Sequence, residues 1–179
     1  MKWSRDNDRL KAAIGLATIN AVINTPQKNW DKGSVLDAFS LDESDTFGMI
    51  GEFKPILSRV RSMTKNIYVF ERGMPEGRDD LYPSNRIPHL LPKCDIVVIS
   101  ATTVINHTID EIVSYCRNAE KVCMVGPSTC LCPDVFKKYN ITLLAGSVVK
   151  NPDLILQIIS QGGGTMAMKP AIEQVLMQI

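Results

Sequence analysis

This 179-residue chain lacks most of the features that would assign it quickly. No apolar run approaches the ~20 residues that a membrane-spanning helix needs, and the opening MKWSRDNDRL contains no secretory hydrophobic region. Neither sign of charge is in excess: 20 basic side chains face 19 acidic ones, so the basic footprint of a nucleic-acid binder is missing. The same balance, with an apolar fraction of 45%, excludes an acidic disordered chain. Histidine is scarce. His89 and His107 are the only two, and each reads more readily as a surface or helix-end residue than as a ligand or general base. The G-x-S-x-G elbow of serine hydrolases and the Walker loop G-x-x-x-x-G-K-[ST] are both absent. What remains is a soluble cytoplasmic globule, one ordinary domain with a short appendage, with neither nucleic acid nor membrane as a partner.

Cysteine use agrees with that reading. Cys94, Cys116, Cys123, Cys130 and Cys132 are odd in number and come without secretory context, so reduced thiols are expected rather than a disulfide framework. Cys130-Leu131-Cys132 suggests a soft metal, and Asp80, in a loop between Gly77 and Pro83, a hard cation. A structural zinc site, however, wants four ligands in paired C-x₂₋₄-C units, and no second pair exists. Buried structural thiols are the plainer reading, and Cys130, Cys132 and Asp80 stand as the candidate metal ligands.

Hydrophobic patterning divides the chain in two. Residues 6–24 carry Leu10, Ala13, Ile14, Ala17 and Ala21 at helical spacing, with Asp6 or Asp8 to cap the start and Asn24-Thr25-Pro26 to stop it. A polar connector follows, so 1–44 reads as an N-terminal helix and linker. From 45 to 179, short runs of Val, Ile and Phe at 46–50, 67–70, 95–100, 121–125 and 141–145 alternate with helical segments. Each run has the length of a strand buried on both faces. The helical segments fall at 55–64, 86–91, 108–117, 133–138, 151–160 and, closing the chain, 171–178. Such alternation predicts an α/β fold: a Rossmann-like, doubly wound, mainly parallel five-stranded sheet with flanking helices, plus the N-terminal helix.

In that architecture ligands bind beyond the carboxyl ends of the strands. The residues waiting there are small, hydroxylated or glycine. Strand one feeds Gly51, strand two Glu71-Arg72-Gly73, strand three Thr103 and Asn106, strand four Gly126-Pro127-Ser128-Thr129, and strand five Gly146-Ser147. Gly48-x-x-Gly51 with Glu71 twenty residues on is a fragment of a dinucleotide fingerprint, in which Glu71 would meet a ribose hydroxyl. The full G-x-G-x-x-G is absent, and Pro55 removes an amide from the helix start, so a structural turn is equally consistent. Ser128 and Thr129 suit an anion or simply cap a helix. Thr108 with Glu111 fits a capping box, leaving Asn106 to face the crevice. Gly162-Gly163-Gly164 either ends a helix or bends over a ligand, and the two readings weigh alike.

Taken as a set, these residues resemble a family of domains of unknown function named for heavy-metal chelation. The matching pieces are Gly48-Met-Ile-Gly51, Val69-Phe70-Glu71, Asp95-Ile-Val-Val-Ile-Ser100 leading to Thr103 and Asn106, Gly126-Pro-Ser-Thr129, Ala145-Gly146-Ser147 and Gly162-Gly-Gly-Thr165. The resemblance implies a Rossmann-like C-terminal domain joined to a smaller N-terminal α+β domain, with the site between them. Against that plan the first helix looks like the last helix of the front domain or the linker from it, and the rest of that domain is expected to be missing. Ala101 stands where the family tends to have glycine, and the 130–132 thiols are not a family feature.

Three functions are therefore carried forward. The first is a binding protein for an anionic small molecule or metal chelate in metal handling, with Gly51, Glu71, Thr103, Asn106, Gly126, Ser128, Thr129, Gly146, Ser147, Gly163 and Gly164 as its ligand-binding residues. The second is an enzyme using a nucleotide-type cofactor of the NAD or S-adenosylmethionine class at the same crevice, although no acid–base pair or nucleophile stands out. The third is an interaction protein, with helix 6–24 pairing two chains as a homo-oligomer.

Overall fold

A computed structural model describes residues 2–27, 30–33, 35–72 and 78–179. The expected Gly73 lies outside the described residues. Among the described residues seven strands form one sheet: β1 (Phe47–Ile50), β2 (Ile67–Phe70), β3 (Leu81–Tyr82), β4 (Ile96–Ser100), β5 (Lys121–Val125), β6 (Leu143–Val149) and β7 (Ile172–Gln178). Their order is β3-β2-β1-β4-β5-β6-β7, parallel throughout except for the antiparallel β6–β7 pair. The expected α/β class holds, and the five-strand count is corrected to seven. The five anticipated strands are present, and β3 and β7 extend the sheet at its two edges.

The central strands are buried on both faces because Val, Ile, Phe and Met alternate between two cores. Ile50, Phe70, Val97, Ile99 and Met124 join one hydrophobic cluster, while Phe47, Met49, Val69, Val98 and Val125 join the other. Helices α3 (Ile87–Leu90), α5 (Ile109–Ser114) and α6 (Pro133–Phe136) cover the first face through Leu90, Ile112, Val113 and Phe136. Helix α2 (Lys54–Val60) covers the second through Leu57 and Val60, beside Val35, Leu36 and Phe39 from the connector. The linker segment thus contributes side chains to the core, and Asp31 bridges to Leu176 of β7.

Helix α1 (Arg9–Ile23) starts where Asp8 accepts hydrogen bonds from the N–H groups of Leu10 (2.9 Å) and Lys11 (3.4 Å), the N-cap device that satisfies orphan amides. It buries Ala12, Gly15 and Leu16 and exposes Leu10, Ile14 and Val22. Gly15 is required: a Cβ there would stand 2.3 Å from the Ser4 amide nitrogen, where the Trp3–Arg5 turn crosses the helix. A one-turn helix, α4 (Thr102–Ile105), occupies the segment after β4, and α7 (Pro152–Ser160) follows β6.

Candidate functional site

Strand order reverses between β1 and β4, so their following segments leave in opposite directions and open a crevice. A cavity of about 620 Å³ lies there. Ile50 and Phe70 from the strand ends, with Ile87, Pro88 and Ile112 from α3 and α5, give it an apolar floor. The polar rim comes from four directions. Ser100 ends β4, and Thr102, Thr103 and Asn106 follow it; Glu71 and Arg72 follow β2; Ser84 and Asn85 follow β3; and Arg9 opens α1. Glu111 and Tyr115 close the side formed by α5, the tyrosine hydroxyl donating to the glutamate at 3.4 Å.

Local hydrogen bonds fix this rim. Thr103 donates its hydroxyl to the Ser100 carbonyl at 2.7 Å, and the Ser100 and Thr102 hydroxyls share a 2.8 Å bond. Asn106 Oδ1 accepts from both the N–H (3.2 Å) and the hydroxyl (2.5 Å) of Thr108. The anticipated Thr108–Glu111 capping box is therefore replaced: Thr108 makes no side-chain cap to α5, and Asn106 acts as the local turn acceptor while still lining the cavity.

After β1 the chain turns at Gly51, whose φ of +84° suits glycine and whose Cβ would approach Ser100 Cβ to 3.1 Å. Its own amide and the next two are all engaged. Gly51 N–H donates to the Phe70 carbonyl (2.9 Å), Glu52 N–H to Glu71 Oε2 (3.0 Å), and Phe53 N–H to the Met49 sulfur (3.5 Å). Glu71 Oε1 accepts in turn from Arg72 N–H at 2.8 Å. A pyrophosphate needs free amides at this turn, and none of these three is free. The nucleotide reading thus gains no support from this loop.

The sequence-selected residues divide. Gly51, Glu71, Thr103 and Asn106 line the cavity together. Gly126, Ser128 and Thr129 follow the neighbouring β5 but lie beyond the Phe53 ring, which sits 3.7 Å from where a Gly126 Cβ would be. Helix α1 fastens that loop: Asn20 Nδ2 donates to the Ser128 carbonyl (3.0 Å) and Asn24 Nδ2 to the Thr129 carbonyl (2.8 Å). Thr129 is fully buried, and neither its hydroxyl nor the Asn20 side-chain carbonyl finds a partner among the described residues. Gly146 and Ser147 are not at a strand tip, because β6 runs on to Val149. Gly146 admits Leu131, 3.0 Å from its would-be Cβ. The glycine run ends α7: Gly162 (φ +75°) donates to the Ile159 carbonyl and Gly163 to that of Ile158, the paired bonds of a Schellman motif. Gly163 and Gly164 lie outside the cavity lining.

Sequence reasoning passed over Arg9, Ser84 and Asn85. The Pro83-Ser84-Asn85 turn was a usable signal, hidden because β3 is only two residues long.

The thiols and Asp80 do not assemble a metal centre. Among the described residues no three His, Cys, Asp or Glu side chains converge on one ion. Burial pushes the Cys94 and Cys116 thiols up to about 12, and raises Cys123 further. Burial and the neighbouring Cys132 push Cys130 up to about 11. Asp80 is already held by Arg61 and Arg78, at 2.5 and 3.1 Å. Arg78 also pairs with Glu52, tying the β1 loop to the approach to β3.

The fold has counterparts elsewhere. The profile of the "Putative heavy-metal chelation" family (DUF364) matches residues 34–178. The chain belongs to that family. An uncharacterized protein of Methanocaldococcus jannaschii is 28% identical over 177 residues, covering 96% of this chain and 68% of the relative. A DUF364 protein of unknown function from Desulfitobacterium hafniense superposes with a TM-score of 0.85 at 27% identity, covering 99% of this chain and 71% of that one. A second, from Pyrococcus horikoshii, gives 0.89 at 24% identity over 99% and 72% of the two chains, a likeness of fold. The family description names heavy metals, yet the donor set described above does not fit a bare heavy-metal ion. No helix among the described residues is long and apolar enough to cross a membrane.

Proposed function

We propose that the protein binds a small anionic organic molecule, or a metal chelate of one, in the crevice between β1 and β4. The observation that carries this reading is the cavity itself: about 620 Å³ at the strand-order reversal, with an apolar floor, a ring of hydroxyls and amides, and two guanidiniums, Arg9 and Arg72, on its rim. Its volume falls within the range of small-molecule sites. A metal would enter already wrapped in its organic ligand, because the chain offers no three-donor cluster among its described residues. The organic part would place carboxylates against the arginines, for which planar guanidinium is suited, a hydroxyl or amine donor against Glu71, and an acceptor oxygen against Asn106 Nδ2, since Asn106 Oδ1 already accepts twice from Thr108.

Thermal unfolding with citrate, nickel–citrate and free nickel ion tests this. Citrate or its nickel complex is expected to raise the midpoint, with the gain lost in Arg72→Ala and reduced in Arg9→Ala. Stabilisation by free nickel alone, unaffected by either substitution, would show the reading to be wrong.

A further inference from the structure

The crevice carries its own anion. At the start of α2, where a Rossmann-type turn offers amides to a phosphate, the Glu71 carboxylate accepts the Glu52 N–H at 3.0 Å and the Arg72 N–H at 2.8 Å. It bridges the ends of β1 and β2 from within. We infer that Glu71 is the specificity-determining residue of the site: it excludes phosphate from the β1 turn and directs selection toward ligands that present a hydroxyl or amine there. This inference rests on the proposed crevice and names what kind of ligand it takes.

Two physical effects act together. A phosphate arriving at this turn would meet a carboxylate of like charge, half-buried, where repulsion is less screened than in water. It would also find the amides of Gly51, Glu52 and Phe53 engaged by Phe70, Glu71 and Met49. A ligand hydroxyl or ammonium meets the opposite situation. Each carboxylate oxygen has a second lone pair, so Glu71 can keep both backbone bonds and still accept from the ligand. Anionic groups of the ligand are then received by side chains, Arg9 and Arg72, at a distance from the turn. Glu52 cannot compete for the same role, because it is paired with Arg78.

The test uses inorganic pyrophosphate as the probe, on wild type, Glu71→Ala and Glu71→Gln. Pyrophosphate is expected to leave the wild-type melting midpoint unchanged. In Glu71→Ala, which releases two amides and removes the charge, it should raise the midpoint by ~2–4 °C at about five times its Kd. Glu71→Gln keeps an acceptor for Glu52 N–H while removing the charge, so it serves if the alanine variant does not fold. Its gain should be smaller but positive. In wild-type amide spectra pyrophosphate should leave Gly51, Glu52 and Phe53 unmoved. Displacement of those three resonances in the wild type overturns the inference, as does a wild-type gain in midpoint as large as that of Glu71→Ala. So does the lack of any gain in both variants. Citrate measured on the same wild-type samples reports separately on whether the crevice binds a small anion at all.

Discussion

Asn24 and Leu131 are joined by a buried hydrogen bond of 2.9 Å, from the Leu131 N–H to Asn24 Oδ1, while the same asparagine donates to the Thr129 carbonyl at 2.8 Å. The residue that caps the C-terminus of the N-terminal helix thereby closes the loop after β5, 107 positions away in sequence. Asn24 is 8% exposed, so truncation leaves a buried donor and a buried acceptor unpaired. Asn24→Ala should cost about 2–4 kcal/mol, since each unsatisfied buried group costs roughly 1–3 kcal/mol. Urea denaturation measures this, and a loss below about 0.5 kcal/mol would show that water replaces both partners.

Gly48 makes a comparable prediction in the central strand. A Cβ there would lie 2.8 Å from Cys94 Sγ and 3.0 Å from Leu91 Cδ1, both in fully packed surroundings. Gly48→Ala should destabilise by roughly 1–3 kcal/mol through overpacking, despite the better strand propensity of alanine. Adding Cys94→Ala should recover part of the loss, because it removes the sulfur that collides. A double-mutant cycle by thermal unfolding reads the coupling.

The parts of the fold that were legible in the sequence are those whose local and global preferences agree. Val97, Val98 and Ile99 suit a strand buried on both faces, and of the two candidate caps Asp6 and Asp8 it is Asp8 that takes the N-cap of α1. Residues 171–178 misled because Ile172, Val175 and Leu176 also fit a helical repeat. In the structure Val175 and Leu176 enter opposite cores, which only a strand allows, and pairing with β6 selects it. That same pairing extends β6 through Gly146 and Ser147, so two residues expected at a strand tip are ladder residues. At the crevice, Gly51, Glu71, Thr103 and Asn106 were readable because strand ends are readable. Arg9 was not, since nothing local shows that a helix 42 residues before Gly51 folds back to its rim.

Asp80 makes stability depend on pH. Burial by itself would raise its carboxyl, but hydrogen bonds and charge from Arg61, and then Arg78, more than reverse this and hold it below the ordinary value. A carboxyl depressed in the folded state stabilises the protein at every pH above its unfolded value of about 3.9, and that stabilisation is lost as pH falls through the lower folded value. Asp80→Asn should therefore be less stable than wild type by about 1 kcal/mol near neutrality, with the gap closing below pH 4. Parallel urea titrations at pH 7, 5 and 3 decide it. A gap that widens in acid would mean that the pair does not act through charge.

Thiol chemistry separates the cysteines by burial. Cys94, Cys116 and Cys123 are buried, and Cys130 and Cys132 are half-buried beside α6. The thiolate is the reacting species, so burial slows reaction both by blocking access and by holding the proton. A disulfide reagent at pH 8 should modify at most two thiols in the folded protein and all five after unfolding, with the native reaction abolished in a Cys130→Ser, Cys132→Ser double variant. In Cys132→Ser, the Cys130 thiol, pushed up to about 11 in the wild type by burial and then by Cys132, should keep gaining rate well above pH 9. A free cysteine would level off above its ordinary value of about 8.5. Rapid native modification of Cys94 or Cys116, located by peptide mapping, would mean that the core around α3 and α5 opens far more readily than its packing implies.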